Sequence, residues 1–215
     1  MENSQKKFLE KELNIVFNDQ ILSNFKKYCS LFKEYNSHTN LISKNDEKVL
    51  FEKHIFDSLS LNLFFKKHKI KNMLDIGTGG GFPSVPAAIA FENISVIALD
   101  SIRKKMNFID LVKTELNLKN LTTVCARAEK SGLNAYFDLV TCRAVSALKN
   151  LFPYVSPYVK KDGYFAAFKS KNFEEELKEA QKIIKKYNFE LSEIIDYKLP
   201  LEENFERKLL IFKKK

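Results

Sequence analysis

The amino-acid sequence predicts an α/β fold: a mostly parallel sheet with helices on both faces, an antiparallel last strand, and a helical extension at the N-terminal end. Three observations carry this. From residue 71 onward, short apolar runs alternate with amphipathic stretches, the pattern of strand–helix repeats. Four of the six glycines crowd into positions 77–81, where the first of those runs meets a helix. Residues 1–70 instead place their apolar side chains at helical spacing.

Within the extension, Phe8, Leu9, Leu13, Val16 and Phe17 fall on one helical face. Ile21, Leu22, Phe25, Tyr28, Cys29 and Phe32 continue at the same spacing in a second helix. The break YNSHTNLISKND follows. Asn45 or Asp46 then caps a third helix carrying Leu50, Ile55, Leu59 and Leu63. The domain spanning 71–215 opens on NMLDI, a strand ending at the glycines. PSVPAAIAF is a helix whose early prolines suit a first turn. ISVIALD is the second strand and SIRKKMNFIDLVKTELNL an amphipathic helix. LTTVCA, FDLVTCRA and GYFAAFK are the next three strands, with SALKNLFPYVSPYVK and FEEELKEAQKIIKKY as helices. The pieces FELSEIIDYKL and FERKLLIFK, separated by PLEEN, pair as an antiparallel ending.

A chain of 215 residues supports one good core with a modest appendage. The N-terminal MENSQKKFLEKEL is broken by charge every two or three residues, unlike a secretory h-region, and no apolar run is long enough for a bilayer. Cys29, Cys125 and Cys142 are far apart and in no C-x-x-C, which argues against disulfides and zinc and for the cytoplasm. The three histidines, His38, His54 and His68, have no metal spacing, so no metal is expected.

The net charge of +9 suits a polyanion, but lysine abundance beside plentiful Asn, Ile and Phe equally reflects codon bias. Of 36 basic residues only four are arginine: Arg103, Arg127, Arg143 and Arg207. Where lysine is the default cation, a retained arginine points to a need for its planar fork.

Gly77, Gly79 and Gly81 follow Asp75 in D-x-G-x-G-x-G between a strand and a helix. Glycine tolerates positive φ and lets a ligand approach the backbone, and the helix start offers free N–H groups. The dinucleotide fingerprint G-x-G-x-x-G fails, because Phe82 stands where its third glycine belongs. That opposes an NAD-type oxidoreductase and suits S-adenosylmethionine, which has no pyrophosphate to cradle. Asp100 ends the second strand 23 residues after Gly77, placed to accept ribose hydroxyls as well as to cap the next helix. Ala128 and Glu129, after the third strand, fall beside the adenine. Arg143 ends the fourth strand, where the transferred group sits. Arg127, Arg207 and Lys169 are expected around the same mouth, positioning phosphates. No N-P-P-Y and no Pro-Cys is present, and Cys142 reads as a buried strand residue. The lack of an evident base fits a nucleophile with a free lone pair, such as guanine N7.

DIGTGGGFPSVPAAIA, ALDSIRKKMNFIDLV, CARAEK and VTCRAVSAL, with NLISKNDEKVLFEKHIFDSL upstream, together resemble the bacterial 16S ribosomal RNA guanine-N7 methyltransferases, the glucose-inhibited division protein B family. The resemblance covers most of residues 35 to 170, includes His-x-x-Asp-Ser at His54, Asp57 and Ser58, and extends to ERKLLIF. It implies a class I, Rossmann-like methyltransferase fold and methyl transfer from S-adenosylmethionine to N7 of a guanine in 16S rRNA or a small-subunit precursor. It implies cofactor contacts at Gly77, Phe82, Ala128, Glu129 and Arg143, and basic positions for activity or RNA at Arg127 and Arg207. Arg143 and Arg127 are the expected catalytic pair, and the chain is read as a monomer without a membrane partner. Ser84 and Ser170 stand where that family commonly has glycine. A small-molecule methyltransferase and a non-catalytic RNA-binding or assembly module on the same fold are the competing readings.

Overall fold

The computed structural model describes residues 3–133, 136–143, 146–170, 173–201 and 205–215. Its centre is a seven-stranded sheet formed by β1 (Asn72–Ile76), β2 (Ser95–Asp100), β3 (Leu121–Cys125), β4 (Phe137–Arg143), β5 (Val159–Ser170), β6 (Phe189–Lys198) and β7 (Glu206–Lys214). The order is β3-β2-β1-β4-β5-β7-β6. The first five pair in parallel, and β7 inserts antiparallel between β5 and β6. The sheet is thus mostly parallel with an antiparallel last strand, as the alternation predicts. After β1 the chain builds outward through β2 and β3, then returns to add β4 on the other side. The carboxyl ends of β1 and β4 therefore flank the switch in strand order, where ligands of open α/β sheets bind.

Side-chain alternation along each strand feeds two cores. Met73 faces one and Leu74 and Ile76 the other, so both faces of the sheet are covered. One face packs on α8 (Leu148–Val155) and α9 (Glu174–Lys186). The opposite face packs on α6 (Ser84–Ala90), α7 (Arg103–Glu115) and the N-terminal helices. These begin with α1 (Asn3–Phe8), which runs into a π-helical turn at Leu9–Leu13, and continue in α2 (Asp19–Thr39) and α3 (Lys44–Lys48). A second π-helical turn, Leu50–Ile55, then leads into α4 (Phe56–Leu59) and α5 (Leu61–Phe65).

Several boundaries differ from expectation. The second helix runs on through YNSHT, because Asn36 is fully buried and its side chain holds the Ile42 amide. Asn40, at φ 55°, ends it. Ser43 caps the next helix, rather than Asn45 or Asp46, by accepting from the Asp46 amide. Val16 lies beyond the first helical segment and is exposed, so it shares no buried face with Leu9 and Leu13. The expected helix through SPYVK stops at Val155, and Val159 already belongs to β5. Met1, Glu2, Ala144 at the end of the expected fourth strand, and Glu202, Glu203 and Asn204 of PLEEN lie outside the described residues. Among the described residues no helix is long and apolar enough to cross a membrane.

Candidate functional site

A cleft of about 1070 Å³ opens at the switch point, lined on one side by Gly77, Gly79 and Asp100 and on the other by Arg143. The glycine loop is held mainly by its own backbone. Gly77 and Thr78 amides donate to the Leu99 carbonyl, at 2.8 and 3.1 Å, tying the loop to the end of β2. Asp100 Oδ2 accepts from the Gly79 amide and Oδ1 from the Ile102 amide, both at 2.9 Å. One carboxylate therefore fastens the loop to the start of α7. Two accepted bonds leave lone pairs for a hydroxyl ligand, so the capping and ribose readings are compatible.

The four clustered glycines have different reasons. Gly77 and Gly79 have φ of 72° and 60°, and a Cβ on Gly79 would have only the Gly77 carbonyl within 4 Å, at 3.9 Å. That face of the loop is open to a ligand. Gly80 is small because α2 lies against it: a Cβ there would meet Phe32 Cε2 at 3.1 Å, and Tyr28 donates to the Gly80 carbonyl at 3.2 Å. Gly81 combines a φ of 93° with Val85 Cγ2 2.7 Å from any Cβ. Gly81 was expected to touch cofactor; instead it packs on α6 and does not line the cleft.

Asp75, also expected at the cofactor, does not line the cleft either. It is fully buried beneath the loop, where it accepts from Thr141 Oγ1 at 3.0 Å and from the Ser84 amide at 3.3 Å. Burial pushes its carboxyl up to about 6, against the hydrogen bonds from Thr78 and Thr141. Asp75 thus organises the loop from below. Ser84 completes this layer through its Oγ, 2.5 Å from Thr78 Oγ1.

Across the cleft, Arg143 ends β4 and is mostly buried. Its Nη1 donates to Asp57 Oδ2 at 3.2 Å and its Nη2 to His54 Nδ1 at 3.0 Å. Its guanidinium lies 4.9 Å from the Phe82 ring centroid, with His54 stacked on the same ring at 5.1 Å. Asp57 also accepts Tyr197 Oη at 2.6 Å and, from Arg207, Nε at 3.1 Å and Nη2 at 3.2 Å. Burial alone would raise the Asp57 carboxyl, but Arg207 and Arg143 overcome it and hold Asp57 below the ordinary carboxylate range. Burial, with Arg143 beside it, lowers His54 to about 4, so its ring is neutral near pH 7. Nδ1 accepts from Arg143, which leaves the proton on Nε2.

Arg127 precedes the 3₁₀ turn Ala128–Lys130 and lines the cleft with Ala128 and Glu129, as expected. Lys105 and Lys149 join them, two cations that lysine-rich composition hid. Two expected members of this mouth are elsewhere. Lys169 donates to Glu176 at 2.6 Å and does not line the cleft. Arg207 is occupied by Asp57 and faces an adjoining cavity. Burial pushes the Cys142 thiol up to about 12, consistent with an inert strand residue. Among the described residues, no cluster of histidine, cysteine, aspartate or glutamate could hold a metal.

The family described as rRNA small subunit methyltransferase G matches residues 21–205. The chain belongs to this family. Across residues 21–205, family membership thus unites both sides of the cleft, the glycine loop and Arg143, with His54 and Asp57 of the extension. A curated member from Lysinibacillus sphaericus is 37% identical over 217 residues, covering 98% of this chain and 91% of its own. One from Bacillus velezensis is 36% identical over 207 residues, covering 94% of this chain and 86% of its own. Both are called ribosomal RNA small subunit methyltransferase G. Among solved structures, a ribosomal protein L11 methylase from Lactobacillus delbrueckii subsp. bulgaricus aligns at TM-score 0.55 and 16% identity. It covers 76% of this chain and 79% of its own, so the Rossmann-like methyltransferase fold is shared.

Motif reading quoted Asp57 in His-x-x-Asp-Ser without giving it a role, and it missed Tyr197 altogether. For Asp57 the signal available was HIFDSL itself, an acidic residue next to Phe56 and within a turn of Ile55 and Leu59.

Proposed function

We propose that this chain is an S-adenosylmethionine-dependent methyltransferase acting on N7 of a specific guanine in 16S rRNA or a small-subunit precursor. Family membership supports the reaction class. The observation that carries the cofactor is the open face of the glycine loop opposite a carboxylate at the end of β2. The donor set fits a nucleoside cofactor without a pyrophosphate. Gly77 and Gly79 would hold it through the backbone, Asp100 through its remaining lone pairs, and Phe82, Ala128, Glu129 and Arg143 along the cleft walls. The cofactor supplies an electrophilic methyl group on a sulfonium.

Guanine N7 attacks with a lone pair and needs no deprotonation, so orientation and electrostatics are what the protein contributes. Arg143 is preorganised for this by Asp57, His54 and Phe82. Arg127 and Lys105 on the cleft margin suit phosphate contacts, beside Lys149, which pairs with Glu179 at 2.9 Å. We read residues 1–70 as an extension packed on a methyltransferase domain of 71–215, and the protein as a cytoplasmic monomer.

The test incubates 16S rRNA with and without the protein and S-adenosylmethionine, cleaves the strand at N7-methylguanine with borohydride and aniline, and maps the breaks by reverse transcription. A protein-dependent stop at one guanine supports the proposal. Methyl transfer to a metabolite but not to rRNA would favour the small-molecule reading. RNA binding without transfer would favour an assembly module.

A further inference from the structure

We propose that the cavity adjoining the cofactor cleft is the pocket for the target nucleobase, a guanine turned out of its RNA strand. This deepens the function proposed above and rests on it. The cavity, about 380 Å³, shares two wall residues with the larger cleft, His54 and Arg143. It lies between the HIFDSL segment, the end of β4 and the side chains of Leu199, Leu201 and Phe205, on the β4 side of the switch point opposite the glycine loop.

Its size and lining suit a flat heteroaromatic ring. Ligand cavities run from about 300 to 1,000 Å³, so this one is at the small end, the scale of one base rather than of a whole nucleoside cofactor. Val49, Leu199, Leu201 and Phe205 supply apolar surface. Phe205 is 47% exposed, an aromatic face at the opening of a cavity on which a base can stack. The Leu199 amide donates to the Phe205 carbonyl at 3.0 Å, which sets those two positions side by side without any ligand.

The polar groups favour acceptors. Asp57 receives four hydrogen bonds from Arg143, Arg207 and Tyr197, which fills a carboxylate's capacity and leaves no acceptor for a base donor. Among the described lining residues, what remains is donors. Two of the five N–H groups of Arg143 are engaged among the described residues. The buried Nε2 of His54 has no partner among them. Lys53 also lines the cavity, with one of its three donors given to Asp46. Guanine carries two adjacent acceptors, N7 and O6, on one edge. With that edge towards the shared wall, O6 satisfies a donor and N7 faces the cofactor cleft. The bond formed is N7–CH₃ and the bond broken is S–CH₃. The sulfur keeps the electron pair, and the positive charge passes from sulfur to the base.

The test uses the full chain with two variants, Leu201→Trp, which fills the cavity, and Phe205→Ala, which removes the stacking face. S-adenosylmethionine affinity is measured by calorimetry and N7-methylation of 16S rRNA by the same cleavage and reverse-transcription mapping. The expected result is cofactor affinity within twofold of wild type in both. Methylation falls tenfold or more in Leu201→Trp and severalfold in Phe205→Ala. Should Leu201→Trp not fold, Phe205→Ala decides alone, because its exposed ring makes little core contact. Unchanged methylation in the folded variants overturns the pocket while leaving the proposed function standing. A wild-type protein that binds the cofactor but methylates no guanine overturns both.

Discussion

The glycine loop after β1 and the Arg143 node after β4 face each other across the switch point, yet they are built from different materials. The loop is backbone held by backbone: positive-φ glycines, amides on the Leu99 carbonyl, and Asp100 only 21 residues from the amide it accepts. The node is side chain held by side chain. Asp57 gathers partners 86, 140 and 150 residues away, on three different strands. A loop of the first kind is specified by local conformational preference. A node of the second kind exists only once the sheet order has brought the ends of β4, β6 and β7 beneath α4. The two halves should therefore fail differently when perturbed.

The largest effect is expected at the node. Asp57→Ala leaves two buried guanidinium groups without their carboxylate and should cost about 3–5 kcal/mol in denaturant unfolding. Arg143→Ala should cost less, because Arg207 and Tyr197 still hold Asp57, while rRNA methylation falls at least as far. Equal stability losses for the two variants would mean that Asp57 is not the hub. On the loop side, Gly79→Val forces a β-branched residue to a φ of 60°, a strain of about 1–3 kcal/mol, with its side chain in the cofactor's space. Cofactor affinity measured by calorimetry should collapse while the helical extension stays folded, as read by circular dichroism. Retained affinity would remove the loop from the cofactor site.

A pH titration sharpens the contrast further. The node's His54 is lowered to about 4, so the unfolded chain binds a proton that the folded protein refuses, and stability falls as pH drops from about 6.5 to 4. The loop's Asp75 is raised to about 6, so the folded protein binds the extra proton. Its contribution runs the other way, gaining stability as pH drops from about 6 to 4. The two oppose each other in wild type. Asp75→Asn should expose the His54 slope, giving a steeper acid loss in unfolding titrations than wild type shows. An unchanged slope would mean Asp75 is already ionised in the fold. The smallest effect is expected for Ser84→Ala, which removes the hydroxyl paired with Thr78 and should cost about 1 kcal/mol in thermal unfolding.

The extension links the two halves. Tyr28 and Phe32 of α2 pack on the Phe82 ring and Tyr28 bonds the Gly80 carbonyl, while His54 and Asp57 hold Arg143 on the far side. One N-terminal segment thus braces both walls of the cleft. Helical periodicity marked Tyr28 and Phe32 as buried but carried no sign of what they touch, and it marked neither His54 nor Asp57.

The sequence by itself determined the strand–helix order, the antiparallel ending, the glycine loop and the cleft positions of Asp100, Arg127, Ala128, Glu129 and Arg143. These follow from side-chain period, from glycine's freedom at positive φ and from the rule that ligands gather at strand ends, all of which act within a few residues. Tertiary structure alone decided that Asp75 and Gly81 support the loop from beneath it, that Arg207 serves Asp57 and Lys169 serves Glu176, and that Gly80 makes room for Phe32. Each of those outcomes depends on which side chain arrives opposite another after the sheet closes. An ion pair between positions 150 apart leaves no trace in either local stretch.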